Sequence, residues 1–408
     1  MTREELNSQA IELLKTNNNI AIQAATGVGK SKIAIDLCYE MAAQQIAPLR
    51  VLLVVAEIAH INNWNAEFIK WNWSWGQVTI ICYASLKNYR DTEWDTIIFD
   101  EAHHLGSELR LDVFDTLRSR WKIFLSATLK ESLIGRLEES CGPIATIKMG
   151  LQDAFNADIL PEPKIILIPL ELDNTNYNET IIEEWGKKDK RLKAECMYKD
   201  MWKFLRDKKR VPNGTLTIHC TAKQKYEYLC KMFEYYKKRY MISRNERLKN
   251  LWLQWGSKRK VYLGLLKTEF AKSLISEQKN KRFICFCTNI GQAEYLGGEN
   301  SVHSKKKNCQ EIINKFNEKQ INSLFAVGML QEGVNLTDIE VGVIVQLDGE
   351  ERSFIQRFGR TLRSDSPVQY IIYFKDTRDE EYLNKALENI DKKYIREYEN
   401  NNRLKGNQ

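Results

Sequence analysis

The 408-residue chain contains no run of 18 apolar residues, so no membrane-spanning helix and no membrane partner are expected. Its first residues, Met1-Thr2-Arg3-Glu4-Glu5, lack the apolar core of a secretory signal. A cytoplasmic protein is the expectation. None of the nine cysteines forms a CxxC pair. Cys285 and Cys287 are two apart on an expected strand and point the same way, but no histidine or second pair completes a metal site. A disulfide framework and a structural zinc are therefore not expected, and buried thiols in a reducing compartment fit better. There are no internal repeats, no low-complexity tract and no nuclease motif.

What is present is charge, unevenly placed. The net charge is +7, yet residues 171–280 alone hold 26 Lys and Arg against 14 Asp and Glu. The rest of the chain is mildly acidic. A basic middle suggests contact with a polyanion, although a solvated helical surface has the same composition.

The length allows two or three domains. Residues 4–16 have helical spacing, with Leu6, Ala10, Leu13 and Leu14 on one side. Short apolar runs at 19–22, 51–56, 78–83, 96–100 and 122–125 then alternate with helical stretches, the pattern of a parallel α/β sheet. Pro161 and Pro163 mark a linker. Residues 178–210 read as helical and basic, and a further helix is expected from about 244 to 276. The α/β alternation resumes at 282–287 and continues to 374, before a polar helical tail from 376.

The polar motifs fall at the carboxyl ends of the strands, where ligands bind in such sheets. Ala24-Ala25-Thr26-Gly27-Val28-Gly29-Lys30-Ser31 lies between a strand and a helix. Gly27 and Gly29 let backbone N–H groups approach a phosphate, Lys30 can reach the β- and γ-phosphates, and the Ser31 hydroxyl suits Mg²⁺. A Gly-rich turn ahead of a helix is the plain alternative. Asp100 and Glu101 close an apolar strand about 70 residues later; Asp100 suits the metal and Glu101 the attacking water. The hydroxyls of Ser126 and Thr128, at the next strand end, are placed to hydrogen-bond the Asp100–His103 loop. Arg357, Arg360 and Arg363 repeat at i, i+3 and i+6, a cluster that suits a transferring phosphoryl group or, alternatively, a solvated basic helix.

Together AxTGxGKS, DEAH, SAT and QRxGRxxR resemble the motifs of the superfamily 2 DEAD/DEAH-box helicases and translocases. The glutamine that heads the last motif, Gln356, and its end, Leu362-Arg363, are nearest the XPB/UvsW/RadD-like branch. Tyr83-Ala84-Ser85-Leu86 looks like the nucleic-acid motif of the first lobe. Residues 284–289 with 292–294 look like motif IV, Val302-His303-Ser304 like the segment after it, and residues 328–336 like motif V. Asn335 stands where many members have Asp, and only Gln9 is available as the adenine-reading glutamine near the N-terminus.

The resemblance implies two RecA-like parallel-sheet domains with a mainly helical basic insertion between them. The first lobe is expected at 1–150, the linker, start of the second lobe and insertion at 151–280, the second lobe at 281–375 and a helical tail at 376–408. It implies ATP and Mg²⁺ bound by Thr26, Gly27, Gly29, Lys30, Ser31, Asp100, Gln356, Gly333 and Asn335, with Ser31 and Asp100 on the metal. Arg360 and Arg363 would be arginine fingers. His103, Ser126, Thr128 and Arg357 would couple hydrolysis to motion, and Ser85, Thr288, His303, Arg259 and Lys260 would touch nucleic acid. The expected activity is ATP-dependent translocation on duplex, forked or branched DNA by a monomer. An RNA helicase of the DExH type and a non-unwinding motor subunit of a restriction or defence complex are the alternatives. The Trp71–Trp75 run reads as the half-buried edge of the first lobe or as a base-stacking platform, and Trp202, Trp252 and Trp255 lie among basic residues suited to DNA or, alternatively, to a plain helical bracing subdomain.

Overall fold

Thr2 opens the first helix, α1 (Arg3–Leu14), with a reciprocal cap. Its hydroxyl accepts from the Glu5 N–H, and the Glu5 carboxylate accepts from the Thr2 N–H. Leu6, Ala10 and Leu14 on one face are then buried. The structure, a computed structural model, describes residues 1–186, 192–207, 214–328, 336–347, 349, 351–362 and 364–398.

The first lobe is a six-stranded parallel sheet. Its strands are β1 (Asn19–Ala24), β2 (Leu49–Val55), β3 (Gly76–Cys82), β4 (Glu93–Asp100), β5 (Arg118–Ser126) and β6 (Ala145–Met149), in the order β3-β2-β4-β5-β1-β6. Helices α2 (Lys30–Ala42), α3 (Ile58–Lys70), α4 (Glu108–Phe114) and α5 (Glu131–Cys141) connect them, and α6 (Leu151–Asn156) leaves the sheet. Every residue of β1 is buried, because helices cover both faces of a central parallel strand. That burial fixes where β1 ends, and so where the glycine loop begins.

The chain enters the second lobe through β7 (Lys164–Leu170), which pairs along its whole length with a strand some 200 residues later. A three-stranded sheet follows, made of β8 (Glu179–Trp185), β9 (Leu192–Met197) and β10 (Gly214–Cys220), with α7 (Met201–Asp207) between the last two. Two long helices, α8 (Ala222–Ser243) and α9 (Glu246–Leu266), then form an antiparallel hairpin, and α10 (Thr268–Glu277) returns to the lobe. The remaining elements are β11 (Phe283–Phe286), α11 (Ile290–Gly297), β12 (Ser301–His303), α12 (Cys309–Asn317), β13 (Ser323–Val327), β14 (Val341–Ile344), α13 (Glu351–Thr361), β15 (Val368–Phe374), α14 (Arg378–Leu387) and β16 (Ile395–Glu397). The second sheet is parallel, in the order β12-β13-β11-β14-β15-β7-β16.

Three expectations are corrected. Among the described residues of 178–210, strands β8 and β9 flank β10 and only α7 is an α-helix. Glu183-Glu184 and the lysines resemble a solvated helix in composition, but pairing with the apolar alternation of Leu216, Ile218 and Cys220 decides the conformation. The helix expected over 244–276 breaks at Lys267, whose side chain is wholly buried. The polar tail contributes β16 to the edge of the second sheet as well as α14.

The two lobes share one apolar core. The Phe155 ring of α6 meets Phe358 of α13 at 6.3 Å and Tyr394 at 5.4 Å between centroids, both edge to face. Leu160 packs against the glycine loop at Gly27.

Candidate nucleotide site

Gly27 and Gly29 both adopt positive φ, +93° and +111°, which a side chain would strain. Gly29 is the N-cap of α2 and gives it no side-chain cap. A Cβ built on Gly29 would meet no atom within 4 Å. The loop therefore leaves the helix N-terminus open to an anion. The Lys30 ammonium donates to the Ala24 carbonyl at 2.8 Å, folding across the loop. Thr26 and Ser31 are half-buried beside it.

A cleft of about 690 Å³ opens over this loop, lined among others by Asn7, Lys30, Trp64, Asp100, Glu101 and Arg360. Asp100 sits at the end of β4. Its Oδ2 accepts from the Trp64 indole N–H at 2.8 Å, with His60 Nδ1 at 3.7 Å, and its carbonyl accepts from the Tyr83 hydroxyl at 3.1 Å. Its Oδ1 accepts from the Glu101 N–H at 3.1 Å. Glu101 is left-handed, with φ +49°, a conformation that costs a non-glycine residue about 1 kcal/mol or more. That backbone turns its carboxylate toward the cleft, where Oε2 is buried and accepts no hydrogen bond among the described residues.

His103 links this loop to the next strand end. Its Nδ1 lies 3.2 Å from Ser126 Oγ and 3.3 Å from Glu101 Oε2, and only the serine is aligned for a hydrogen bond. Ser126 Oγ donates to the Thr128 carbonyl at 2.8 Å. Thr128 thus enters through its backbone, whereas the sequence suggested its hydroxyl.

From the second lobe, α13 meets the glycine loop at Gly359. Gly359 approaches so closely that an added Cβ would lie 2.7 Å from Thr26 Cβ. The next residue, Arg360, is 5% exposed and lines the cleft. Arg357 donates to the Gln346 carbonyl at 3.0 Å within its own lobe. Gln356 is buried. Gly333, Asn335 and Arg363 lie outside the described residues.

Three contributors were missed in the sequence. Trp64 and His60 project from α3 onto Asp100, and α3 carried no motif to mark them. Asn7 faces the cleft from α1, and its Oδ1 is buried with no hydrogen-bond partner among the described residues. Gln9, suggested by the sequence as the adenine-reading residue, is exposed and is not among the residues lining the cleft, whereas Asn7 is. The open helix end, the buried acceptors and the two-sided cationic lining fit a nucleotide triphosphate with its metal.

The candidate nucleic-acid residues divide. Ser85 and Lys260 are half-buried, and Thr288 packs its side chain against Gly264. Arg259 and His303 are both buried. Arg259 is 5% exposed with its guanidinium over the Phe233 ring at 4.4 Å. His303 is 3% exposed, 3.3 Å from Glu294. Trp252 stacks on Tyr240 and Trp255 on Tyr236, holding α8 to α9, while Trp202 is exposed. Trp73 packs edge-on against Tyr39 at 5.1 Å, Trp71 is half-buried and Trp75 is exposed. Cys285 and Cys287 are unbonded thiols with sulfurs 3.9 Å apart, and burial pushes the Cys38 thiol up to about 12. Among the described residues there is no metal-binding cluster of His, Cys, Asp and Glu, and no helix is long and apolar enough to cross a membrane.

Comparison with known proteins places these observations. Residues 266–365 match the helicase conserved C-terminal domain, and residues 2–75 match the res subunit of type III restriction enzymes. The DNA 3'-5' translocase XPB2 of Sulfurisphaera tokodaii is 20% identical over 367 residues, covering 85% of this chain and 75% of that protein. Among solved structures, S. cerevisiae Dbp5 bound to RNA and ADP BeF3 superposes with a TM-score of 0.57 at 12% identity, over 97% of this chain and 89% of the other. The Pyrococcus furiosus Hef helicase domain gives 0.49 at 15% identity, over 94% and 97%. The Dbp5 likeness establishes a shared fold of two RecA-like domains.

Proposed function

We propose that this chain is a superfamily 2 helicase/translocase ATPase of the XPB-like branch, a reading supported by its family matches and its translocase relative, and that it hydrolyses ATP to move on duplex DNA and remodel forked or branched forms. One observation carries the reading: Arg360 of the second lobe lines the same cleft as Lys30, Asp100 and Glu101 of the first.

In this reading Thr26, Gly27, Gly29 and Lys30 hold the triphosphate, and Asn7 accepts from the adenine amino group. Ser31 and Asp100 would hold Mg²⁺, which when bound neutralises charge on the β- and γ-oxygens. Glu101 orients a water and takes its proton as the water oxygen bonds to the γ-phosphorus. The bond from that phosphorus to the β-bridging oxygen breaks, giving ADP and phosphate. Arg360, with Arg363, balances the charge that collects on the leaving oxygen. By the resemblance, Gln356, Gly333 and Asn335 would supply the second lobe's share of the nucleotide site. Loss of phosphate releases the arginines, and the Glu101–His103–Ser126 chain carries the change to the first lobe's strand ends.

DNA as the track rests on the translocase named above and on charge. Residues 222–266 hold 12 Lys and Arg against 3 Asp and Glu. Lys231, Lys238, Arg239, Arg244, Arg247 and Lys258 are exposed along the α8–α9 hairpin. A rigid basic arm beside a closing pair of lobes supplies a second grip on phosphate backbone. The match of residues 2–75 to a restriction-enzyme subunit favours one alternative, a motor that serves a nuclease partner.

The test is ATP turnover by the purified chain with no polymer, duplex DNA, forked DNA and matched RNA. DNA-specific stimulation that is absent in Lys30→Ala and Glu101→Gln is expected. Equal rates under all four conditions would overturn the reading. Stimulation by DNA without separation of a fork would favour the motor-subunit alternative.

A further inference from the structure

Lys267 is a lysine with no exposed surface. It occupies the single residue between α9 and α10, where the basic arm rejoins the second lobe. Its ammonium uses all three donors. It pairs with Asp379 Oδ2 at 2.6 Å and donates to the Val345 carbonyl at 2.9 Å and Gln346 Oε1 at 3.0 Å. Burial draws its proton affinity below the usual lysine range, and Asp379 opposes that shift.

The partners lead away from the arm. Asp379 is 1% exposed, in the first turn of α14. Its Oδ1 accepts from Gln346 Nε2 at 2.6 Å, so Lys267, Asp379 and Gln346 close a ring of hydrogen bonds. The Gln346 carbonyl accepts from Arg357 at 3.0 Å, and Arg357 lies one helical turn from Arg360 on α13. A buried polar path therefore runs from the base of the arm to the helix that presents an arginine to the nucleotide cleft.

The other strand of the arm reaches the same place. The Tyr226 hydroxyl of α8 accepts from the Arg378 N–H at 2.9 Å, next to Asp379. The Gln292 side chain donates to the Gly264 carbonyl and to Thr268 Oγ1, both at 2.8 Å, and clamps the α9–α10 elbow to α11. The arm is thus fixed at its root and cannot tilt without moving the turn that carries Gln346.

We propose that Lys267 is a positioning residue that links the position of the α8–α9 arm, through Asp379 and Gln346, to the placement of Arg357 and Arg360. A wholly buried Lys–Asp pair is a poor device for stability alone, because well-packed apolar residues of similar volume hold a core equally well or better. It does fix register and direction, since moving the ammonium leaves buried charge unpaired on both sides. When the arm is loaded by a polymer, α13 is held in the orientation that aims Arg360 into the cleft. Without load, turnover is slow.

This rests on the reading of the chain as a polymer-stimulated ATPase, and the experiment keeps the two apart. The double variant Lys267→Met/Asp379→Leu replaces the pair by apolar side chains of similar volume. ATP turnover with and without DNA, DNA affinity and melting temperature are measured for it and for the unaltered chain. The expected result is an unchanged melting temperature and DNA affinity, unchanged basal turnover, and a loss of stimulation of about tenfold, the size of a typical coupling between sites. A folded variant that keeps full stimulation overturns the link. If the unaltered chain itself shows no stimulation, the polymer-dependent reading fails instead. Gln346→Met covers the case in which the double variant does not fold. It leaves the Lys267–Asp379 pair in place and removes the two side-chain hydrogen bonds by which Gln346 joins that pair, and full stimulation in it overturns the proposal equally.

Discussion

The Trp64 indole N–H donates to the Asp100 carboxylate at 2.8 Å, from the helix that follows β2. An indole cannot accept in return, so it holds one oxygen of Asp100 and leaves the other to the Glu101 N–H. Trp64→Phe keeps the ring and removes the donor. A hydrogen bond to a charged group contributes about 1.5–3 kcal/mol. The Mg²⁺ concentration for half-maximal turnover is expected to rise about tenfold, with little change in melting temperature. A magnesium titration of ATP turnover checks it.

Asn7 gives the cleft a buried acceptor that accepts from no donor among the described residues. The amino group of adenine can fill it, whereas guanine offers a carbonyl at that edge and is repelled. Asn7→Leu removes the acceptor at similar volume. The KM for ATP should rise about tenfold, the worth of one good hydrogen bond, while the KM for GTP stays level. Parallel KM measurements with the two nucleotides read the loss of discrimination.

Arg360 acts, in the proposed mechanism, only as charge develops. Arg360→Gln is therefore expected to lower kcat about 10³-fold, the lower end of what an arginine finger contributes, with ATP affinity nearly unchanged. DNA binding should also persist. Fluorescent-nucleotide binding alongside turnover separates the two quantities.

The arm's charge should appear in salt dependence. Arg244 and Arg247 are exposed at the hairpin tip. With Arg244→Glu and Arg247→Glu combined, the slope of log affinity against log salt for duplex DNA should fall by about 2, close to one unit for each lost phosphate contact. Turnover without DNA should not change. Binding isotherms across a salt series provide the measurement.

The parts of the site that were legible in the sequence are those made by short segments. Gly27 to Ser31, Asp100-Glu101 and the arginines of α13 announce themselves because loop, strand end and helix each need particular residues at fixed spacing. Trp64, His60 and Asn7 were hidden. Their chemistry arises only when α3 and α1 pack beside β4 and the glycine loop, and residue type alone does not report packing. The helical reading of 178–210 failed for a related reason. Charge density along β8 suggests a solvated helix, while its conformation is set by pairing with β10, whose partners lie 29 to 41 residues away. Lys267 is the sharpest instance. A lysine in a basic stretch reads as surface, and only the tertiary fold reveals that Asp379 waits for it inside. The parallel sheets themselves were plain, since buried strands such as β1 and β2 are continuous apolar runs.

The bare backbone at Gly359 has one more consequence. With only 2.7 Å between Thr26 and the point where a Cβ would sit, even a single methyl group there would act as a doorstop between the lobes. Such a protein would still fold and still cradle nucleotide on its first half. It would idle like an engine out of gear, because the fuel and the spark would never meet.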